Sequence, residues 1–140
     1  MKVILTLIFL AVIGSSALAQ GGGEKRQEIE NIKLAFISSK LDLTTGEAQR
    51  FWPIYNAYKS DFNEIIKLKR ESKRNQLANA DQQLDREIDF DERILELKKR
   101  YRLEFSKAIP PAKVLLFFEA EREFRERLIK QLRERRRQDN

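Results

Sequence analysis

Acidic side chains are densest in the third quarter of the chain, where five carboxylates fall within eight residues. Carboxylate oxygens are the ligands that hard cations such as Ca²⁺ prefer. Successive residues on a helix point in different directions, however, and the segment lacks the spacing and the turn glycine of a calcium-binding loop. We therefore interpret the cluster as a solvated helix face and expect no metal site. Its members are Asp85, Glu87, Asp89, Asp91 and Glu92.

The residues that most often carry enzyme chemistry are missing from the sequence. The chain has no histidine and no cysteine, so it cannot build Ser-His or Cys-His nucleophile pairs, nor imidazole or thiolate metal sites. No nucleotide-binding motif occurs. We therefore expect a protein that is not an enzyme and holds no cofactor. Without cysteine the fold also has no disulfide, so its stability must come from packing.

Two basic clusters raise the question of nucleic-acid binding. One runs from Lys67 to Arg74 and the other from Arg133 to Arg137. Both lie near the predicted C-terminus of a helix, where cations offset the helix dipole. Acidic residues interleaved in the last helix would also oppose contact with a phosphate backbone. We expect no nucleic-acid binding, while an anionic membrane surface stays a candidate partner.

An export signal is predicted at the N-terminus. Lys2 gives a positive n-region, residues 3–13 an apolar h-region, and the Ala-Leu-Ala tripeptide at 17–19 a small-residue cleavage site. The apolar run is shorter than the roughly 20 residues that span a bilayer, which favours a cleaved signal peptide over an anchor. We expect residues 1–19 to be removed and the mature protein to act outside the cytoplasm.

The mature chain has the size of one domain. It would contain 121 residues and, without Lys2, 27 Lys and Arg against 22 Asp and Glu, a net charge of +5. Positive and negative side chains in such nearly equal numbers mostly form the solvent-exposed faces of helices. We divide the mature chain into a flexible leader at 20–25, a helical domain at 26–132 and a basic frayed tail at 133–140.

Four stretches place apolar residues at three- and four-residue steps, the spacing that lines up one helical face. The first runs from about Lys25 to Lys40 and the second from Thr45 to about Asn75. A polar stretch up to Gln83 predicts a loop before the third helix, and the last helix starts at about Pro111, a favoured first-turn residue. No stretch alternates like a strand. The sequence therefore predicts an all-α fold of four amphipathic helices with long central helices.

Residues 41–62, LDLTTGEAQRFWPIYNAYKSDF, open the second helix with an explicit start signal. Thr44 is a good N-cap residue, and Glu47 three positions later completes a capping box. Pro53 lacks a backbone N–H and disfavours helical geometry at Trp52, which predicts a kink. Aromatic residues line one face beyond the cap, and we interpret them as core. They are Phe51, Trp52, Tyr55, Tyr58 and Phe62.

The same stretch resembles the Spy/CpxP family of periplasmic chaperones and envelope-stress adaptors, small all-helical proteins with two LTxxQ motifs at helix starts. The first motif reads Leu43-Thr44-Thr45-Gly46-Glu47, followed by FWPIYN, and Glu in place of the family Gln preserves the capping chemistry. The second motif would correspond to IPPAK at 109–113, around Pro110 and Pro111, which lacks both the Thr and the Gln. The His-rich metal-sensing segments of some relatives have no counterpart. The matches extend over roughly residues 26–135.

The resemblance implies a periplasmic location and a cradle-shaped homodimer built from open helical hairpins. Helical periodicity alone leaves a closed monomeric bundle equally open. Apolar residues beside the main stripes exceed what four thin helices easily cover, and such patches usually mark interaction sites. Burial in a dimer and binding of unfolded chains explain them equally well. The candidates for client binding are Arg50, Ile54, Lys59, Lys67, Leu68, Lys69, Arg70, Phe118 and Arg122.

Two functions fit these expectations. The first is an ATP-independent periplasmic chaperone that binds unfolded or misfolded envelope proteins and limits their aggregation. The alternative is a regulatory partner of an envelope-stress sensor, either a histidine kinase or an anti-sigma factor, without general chaperone activity. A purely structural envelope protein is a third class. The sequence does not separate them.

Overall fold

The computed structural model describes residues 20–74 and 79–139 of the chain. Four helices account for nearly all of them, and no strand occurs among the residues described. They are α1 (Gln20–Leu41), α2 (Thr45–Arg74), α3 (Ala80–Ala108) and α4 (Pro111–Gln138). The predicted all-α fold of four helices is confirmed. The predicted signal peptide at 1–19 lies outside the described residues.

Helices α2 and α3 form an antiparallel hairpin. At its outer end Lys69 Nζ lies 2.7 Å from Glu87 Oε2, and at its base the Arg50 guanidinium donates to the carbonyl of Ala108 at 3.3 Å. Residue numbers rise along α2 while they fall along α3, as antiparallel packing requires. Helix α2 continues without interruption through Pro53, whose side chain is exposed. The proline therefore removes one backbone hydrogen bond without dividing the helix.

An aromatic core joins this hairpin to α1 and α4, which pack against each other. Phe51, Phe105 and Phe117 come from α2, α3 and α4, and all three are fully buried. Their ring centroids lie 5.2, 5.5 and 4.6 Å apart, within the range of favourable aromatic pairs. The core interpretation is confirmed for Phe51, Tyr55 and Tyr58, whereas Trp52 and Phe62 are only half-buried at its edge.

Two outer segments are more helical than the sequence indicated. Helix α1 begins at Gln20, so the expected leader at 20–25 is helical. Glycine can adopt helical dihedral angles, and a helix whose later turns are packed propagates cooperatively. The expected frayed tail at 133–140 is helical as far as Gln138. Arginine is a good helix former, and cations are favoured at this end of a helix.

Helix α3 starts inside the polar stretch that the sequence predicted as a loop. Asn79 is its N-cap residue, and its side-chain oxygen accepts the N–H of Gln82 at 2.9 Å. The apolar stripe of α3 begins later in the chain, so periodicity alone placed the start too late. Within the described ranges no helix is long and apolar enough to cross a membrane.

Candidate functional site

Segments 41–50 and 108–113 meet at one end of the molecule, which we call the capping junction. Thr44 Oγ1 accepts the N–H of Glu47 at 3.2 Å, and Glu47 Oε2 accepts the N–H of Thr44 at 2.9 Å. This reciprocal pair is a capping box and confirms the predicted start of α2. Leu43, just before the cap, is half-buried against the core.

Lys113 connects α4 to the start of α2. Its Nζ lies 2.6 Å from Glu47 Oε2 and donates to the carbonyl of Asp42 at 2.7 Å. Asp42 has a φ of 44°, the left-handed conformation that commonly follows a helix end. The hydrogen bond from Lys113 lowers the pKa of Glu47. Sequence reasoning missed this role, because nothing local distinguishes Lys113 from other lysines.

The IPPAK segment ends α3 and begins α4, as expected. Ile109 is buried, and its N–H bonds the carbonyl of Phe105 at 3.0 Å. Pro110 precedes the helix and Pro111 is its first residue, where a missing N–H costs no helical hydrogen bond. Both prolines are exposed. The segment therefore turns the chain between two helices, and the ammonium group of its Lys113 is engaged by Glu47.

Two carboxylates lie between the helices. Each accepts a hydrogen bond from a tyrosine hydroxyl and forms an ion pair with a lysine ammonium group. Glu121 is buried, accepts the hydroxyl of Tyr58 at 2.9 Å, and lies 2.8 Å from Lys33 Nζ. Glu30 accepts the hydroxyl of Tyr55 at 3.1 Å and lies 2.9 Å from Lys59 Nζ. Burial, followed by the nearby carboxylates, raises the pKa of both tyrosines. These contacts bind α1 and α4 to α2 and leave no polar side-chain atom buried without a partner among the described residues.

The acidic segment of α3 is not arranged to hold a cation. Lys69 Nζ and Lys73 Nζ lie 2.7 and 3.1 Å from the Glu87 carboxylate, and the hydrogen bond from Lys69 lowers the pKa of Glu87. Over the described part of the chain, no three His, Cys, Asp or Glu residues are grouped so that they could hold a metal ion. Glu87, Asp89 and Asp91 make ion pairs with lysine and arginine side chains of the same chain instead.

Several client-binding candidates are already engaged within the chain. Arg50 donates to the Ala108 carbonyl, Lys59 pairs with Glu30, and Lys69 pairs with Glu87. Ile54 is half-buried against the core. These four residues therefore stabilise the fold before any client can contact them.

The remaining candidates are accessible and lie in two places. On α2, Leu68 is 42% exposed beside exposed Arg70, and Lys67 makes only a long ion pair of 3.9 Å with Glu71. On α4, Phe118 and Arg122 line a groove shared with α3. The structure thus does not bring the nine candidates together into one site.

The groove between α3 and α4 has a volume of about 390 Å³ and combines an apolar floor with a basic rim. The floor is formed by half-buried Phe118 and by exposed Leu115. Glu119 and Glu121 also line it, but Glu121 is engaged by Lys33. We call this site the basic groove. Its cations are Lys98, Lys99, Arg102, Arg122 and Arg125.

Large apolar side chains are exposed on all four helices. In α1, Ile29 and Ile32 are 38% and 53% exposed, although they lie in the apolar repeat of the helix. The core ends short of them, because it is concentrated near the capping junction. Large apolar residues with more than a third of their surface exposed are Ile29, Ile32, Leu68, Leu84, Ile88, Leu95, Leu103, Leu115, Leu116, Ile129 and Leu132.

Comparison with known proteins gives no relative from which a function could be transferred. No protein-family model, curated protein or solved structure matches the chain.

Proposed function

We propose that this protein is a periplasmic, ATP-independent chaperone of Spy/CpxP type, which binds unfolded envelope proteins and limits their aggregation. The observation that carries the proposal is the spread of exposed leucines and isoleucines over all four helices. Accessible cations, such as Lys67 and Arg70 on α2, lie among them. A dedicated regulatory partner would instead concentrate its binding energy in one well-packed patch. A dispersed surface suits many unrelated clients.

The mechanism is weak binding at several points. Cations raise the local concentration of acidic client segments at long range. Exposed apolar side chains then hold the client, and covering one half-exposed leucine stabilises the complex by about 1 kcal/mol. Because no single contact is strong, a client can leave or fold while it is still in contact. The export signal predicted from the sequence and the resemblance of residues 43–56 to the family support the periplasmic setting.

An aggregation assay tests this function directly. The protein should slow the aggregation of several unrelated unfolded proteins without ATP, and its rate of capture should fall as salt screens the cations. The variant K67Q/R70Q should capture clients more slowly, because it removes two exposed charges but keeps helix-forming side chains. I29S/I32S should release clients faster. Helix content measured by circular dichroism should match the parent in both variants.

The variant K67R/R70K is the matched control for charge. It should capture clients as fast as the parent, because it keeps both positive charges and helix-forming side chains. If no unrelated client is protected by the parent protein, the chaperone proposal fails. Tight binding to one sensor domain in a fixed ratio would then support the regulatory alternative.

A further inference from the structure

The basic groove between α3 and α4 has an excess of positive charge. Of its five cations, only Lys99 forms an ion pair within the part of the chain that the structure describes, with Glu96 at 2.7 Å. Of its two carboxylates, Glu121 is paired with Lys33, which leaves Glu119. Four cations therefore surround the groove against one unpaired carboxylate, and their summed field attracts anions.

The floor of the basic groove is apolar and held in place by the core. The ring of Phe118 lies 5.1 Å from that of Phe117 and 6.2 Å from that of Phe105, both fully buried. Leu115, one turn earlier in α4, is 61% exposed. A small hydrated anion would leave this floor in contact with water, whereas a hydrocarbon chain would cover it. The groove therefore suits an anion that carries an apolar chain.

Along α4 the groove changes from apolar to cationic. Leu115 and Phe118 come first after the turn at 109–110, and Arg122 and Arg125 follow. Leu115 and Arg125 are about 15 Å apart along the helix axis. The volume of about 390 Å³ lies near the lower end of the range for small-molecule sites, roughly 300–1,000 Å³. One chain with one charged end matches this order and size.

We propose that the basic groove binds one long-chain fatty acid, with its carboxylate at Arg122 and Arg125 and its alkyl chain along Leu115 and Phe118. A guanidinium group presents two N–H donors that match the two oxygens of a carboxylate. Arg102 of α3 adds positive charge, and its aliphatic stem can cover the chain. A bilayer surface is flat and would reach the rim of the groove but not its floor. The site does not depend on the proposed chaperone activity.

Calorimetric titration with laurate below its micelle concentration tests the site. One laurate should bind per chain. Acetate carries the same charged group without the chain, and dodecyltrimethylammonium carries a matched chain with the opposite charge, so neither should bind measurably. Affinity for acetate equal to that for laurate would reduce the groove to a simple anion site. Equal affinity for dodecyltrimethylammonium would reduce it to an apolar patch. Either result, or no binding of laurate, would overturn the proposal.

Two pairs of arginines separate the groove from the net charge of the protein. R122Q/R125Q should bind laurate about tenfold more weakly, because it removes the charged donors to the carboxylate. R135Q/R136Q removes the same charge from exposed positions of the same helix outside the groove, and it should bind laurate like the parent. Circular dichroism should show equal helix content in both variants. Equal weakening by both pairs would overturn the proposal.

The apolar floor and the alternative of a membrane surface are tested in the same way. L115S should weaken laurate binding by about fivefold, whereas L132S, at a position of α4 that is 48% exposed outside the groove, should not. Co-sedimentation with phosphatidylglycerol vesicles tests the membrane. Vesicle binding that is lost in R122Q/R125Q, in a protein that does not bind laurate in solution, would assign these cations to a membrane and overturn the proposal.

Discussion

The hydroxyl of Tyr58 donates a hydrogen bond of 2.9 Å to the buried carboxylate of Glu121. This hydrogen bond joins α2 to α4 inside the core. Lys33 brings α1 to the same carboxylate at 2.8 Å. Glu121 is the buried charged residue of the described core, with 7% of its surface exposed. A buried charge is costly unless it is paired and hydrogen-bonded. This carboxylate therefore connects α1, α2 and α4, so the packing of each helix depends on the other two.

Removing the Glu121 carboxylate should destabilise the protein strongly. Glu121→Ala leaves the Tyr58 hydroxyl without its acceptor and the Lys33 ammonium without its partner. We expect a loss of about 2 to 4 kcal/mol in the free energy of unfolding, measured by urea titration followed by circular dichroism. The double variant K33M/E121L is the matched comparison, because it replaces the pair with apolar side chains. It should be clearly more stable than E121A, and equal instability of the two would contradict a role for the ion pair.

The tyrosines should ionise only when the protein unfolds in alkali. The chain has three tyrosines, and burial raises the pKa of Tyr55, Tyr58 and Tyr101 above the ordinary value of 10.0. An acid whose pKa is raised by folding stabilises the fold below its unfolded pKa and loses that contribution as the pH rises above it. Phenolate absorbance should therefore appear together with the loss of helix signal above pH 10. Phenolate formation at pH 10 with the helices intact would contradict this burial.

The capping box should contribute measurably to stability. Thr44→Ala removes the side-chain oxygen that accepts the N–H of Glu47, and we expect a cost of about 1 kcal/mol. Thr44→Ser keeps the acceptor and serves as the control, with stability close to that of the parent. Urea titration distinguishes the three proteins. Equal destabilisation by Ala and Ser would assign the effect to the lost methyl group and not to the cap.

The ion pair between Glu47 and Lys113 at the capping junction should make part of the protein's stability depend on pH. The pKa of Glu47 is lowered by the hydrogen bond from Lys113, so the charged carboxylate is favoured in the folded state. A lowered carboxyl pKa stabilises the protein above the unfolded value, and the contribution is lost as the pH falls through the folded value. Glu47→Gln keeps the cap geometry without the charge. The stability difference between parent and variant should be largest at neutral pH and shrink below pH 4.5; a difference independent of pH would contradict the ion pair.

Adjacent aromatic residues should differ in their contribution to the core. Phe51 is fully buried whereas Trp52 is half-buried. Phe51→Ala should therefore cost about 3 to 5 kcal/mol and Trp52→Ala about 2 kcal/mol. Urea titration measures both. If Trp52→Ala is as stable as the parent while client capture collapses, Trp52 belongs to the client surface and not to the edge of the core.

The sequence predicted those parts of the fold that local chemistry determines. Thr44 and Glu47 placed the start of α2 correctly, and Pro111 placed the start of α4, because caps and prolines act within one turn. The roles of Glu121 and Lys113 were not predictable in the same way. Glu121 lies in a run of charged residues and is buried only because α1, α2 and α4 converge on it. Contacts between distant segments leave no periodic signal, which is also why the basic groove was missed.

Both interhelical connections that the structure describes, at residues 42–44 and 109–110, lie at the capping junction. The outer turns of α1 and α4 and the far half of the hairpin have few buried side chains. Opening should therefore start at these outer ends and cost progressively more towards the junction. Amide hydrogen exchange would show this as a gradient, slowest around Phe51 and Phe105 and fastest beyond Ile129. The protein can thus unwind its extremities while the aromatic core stays closed.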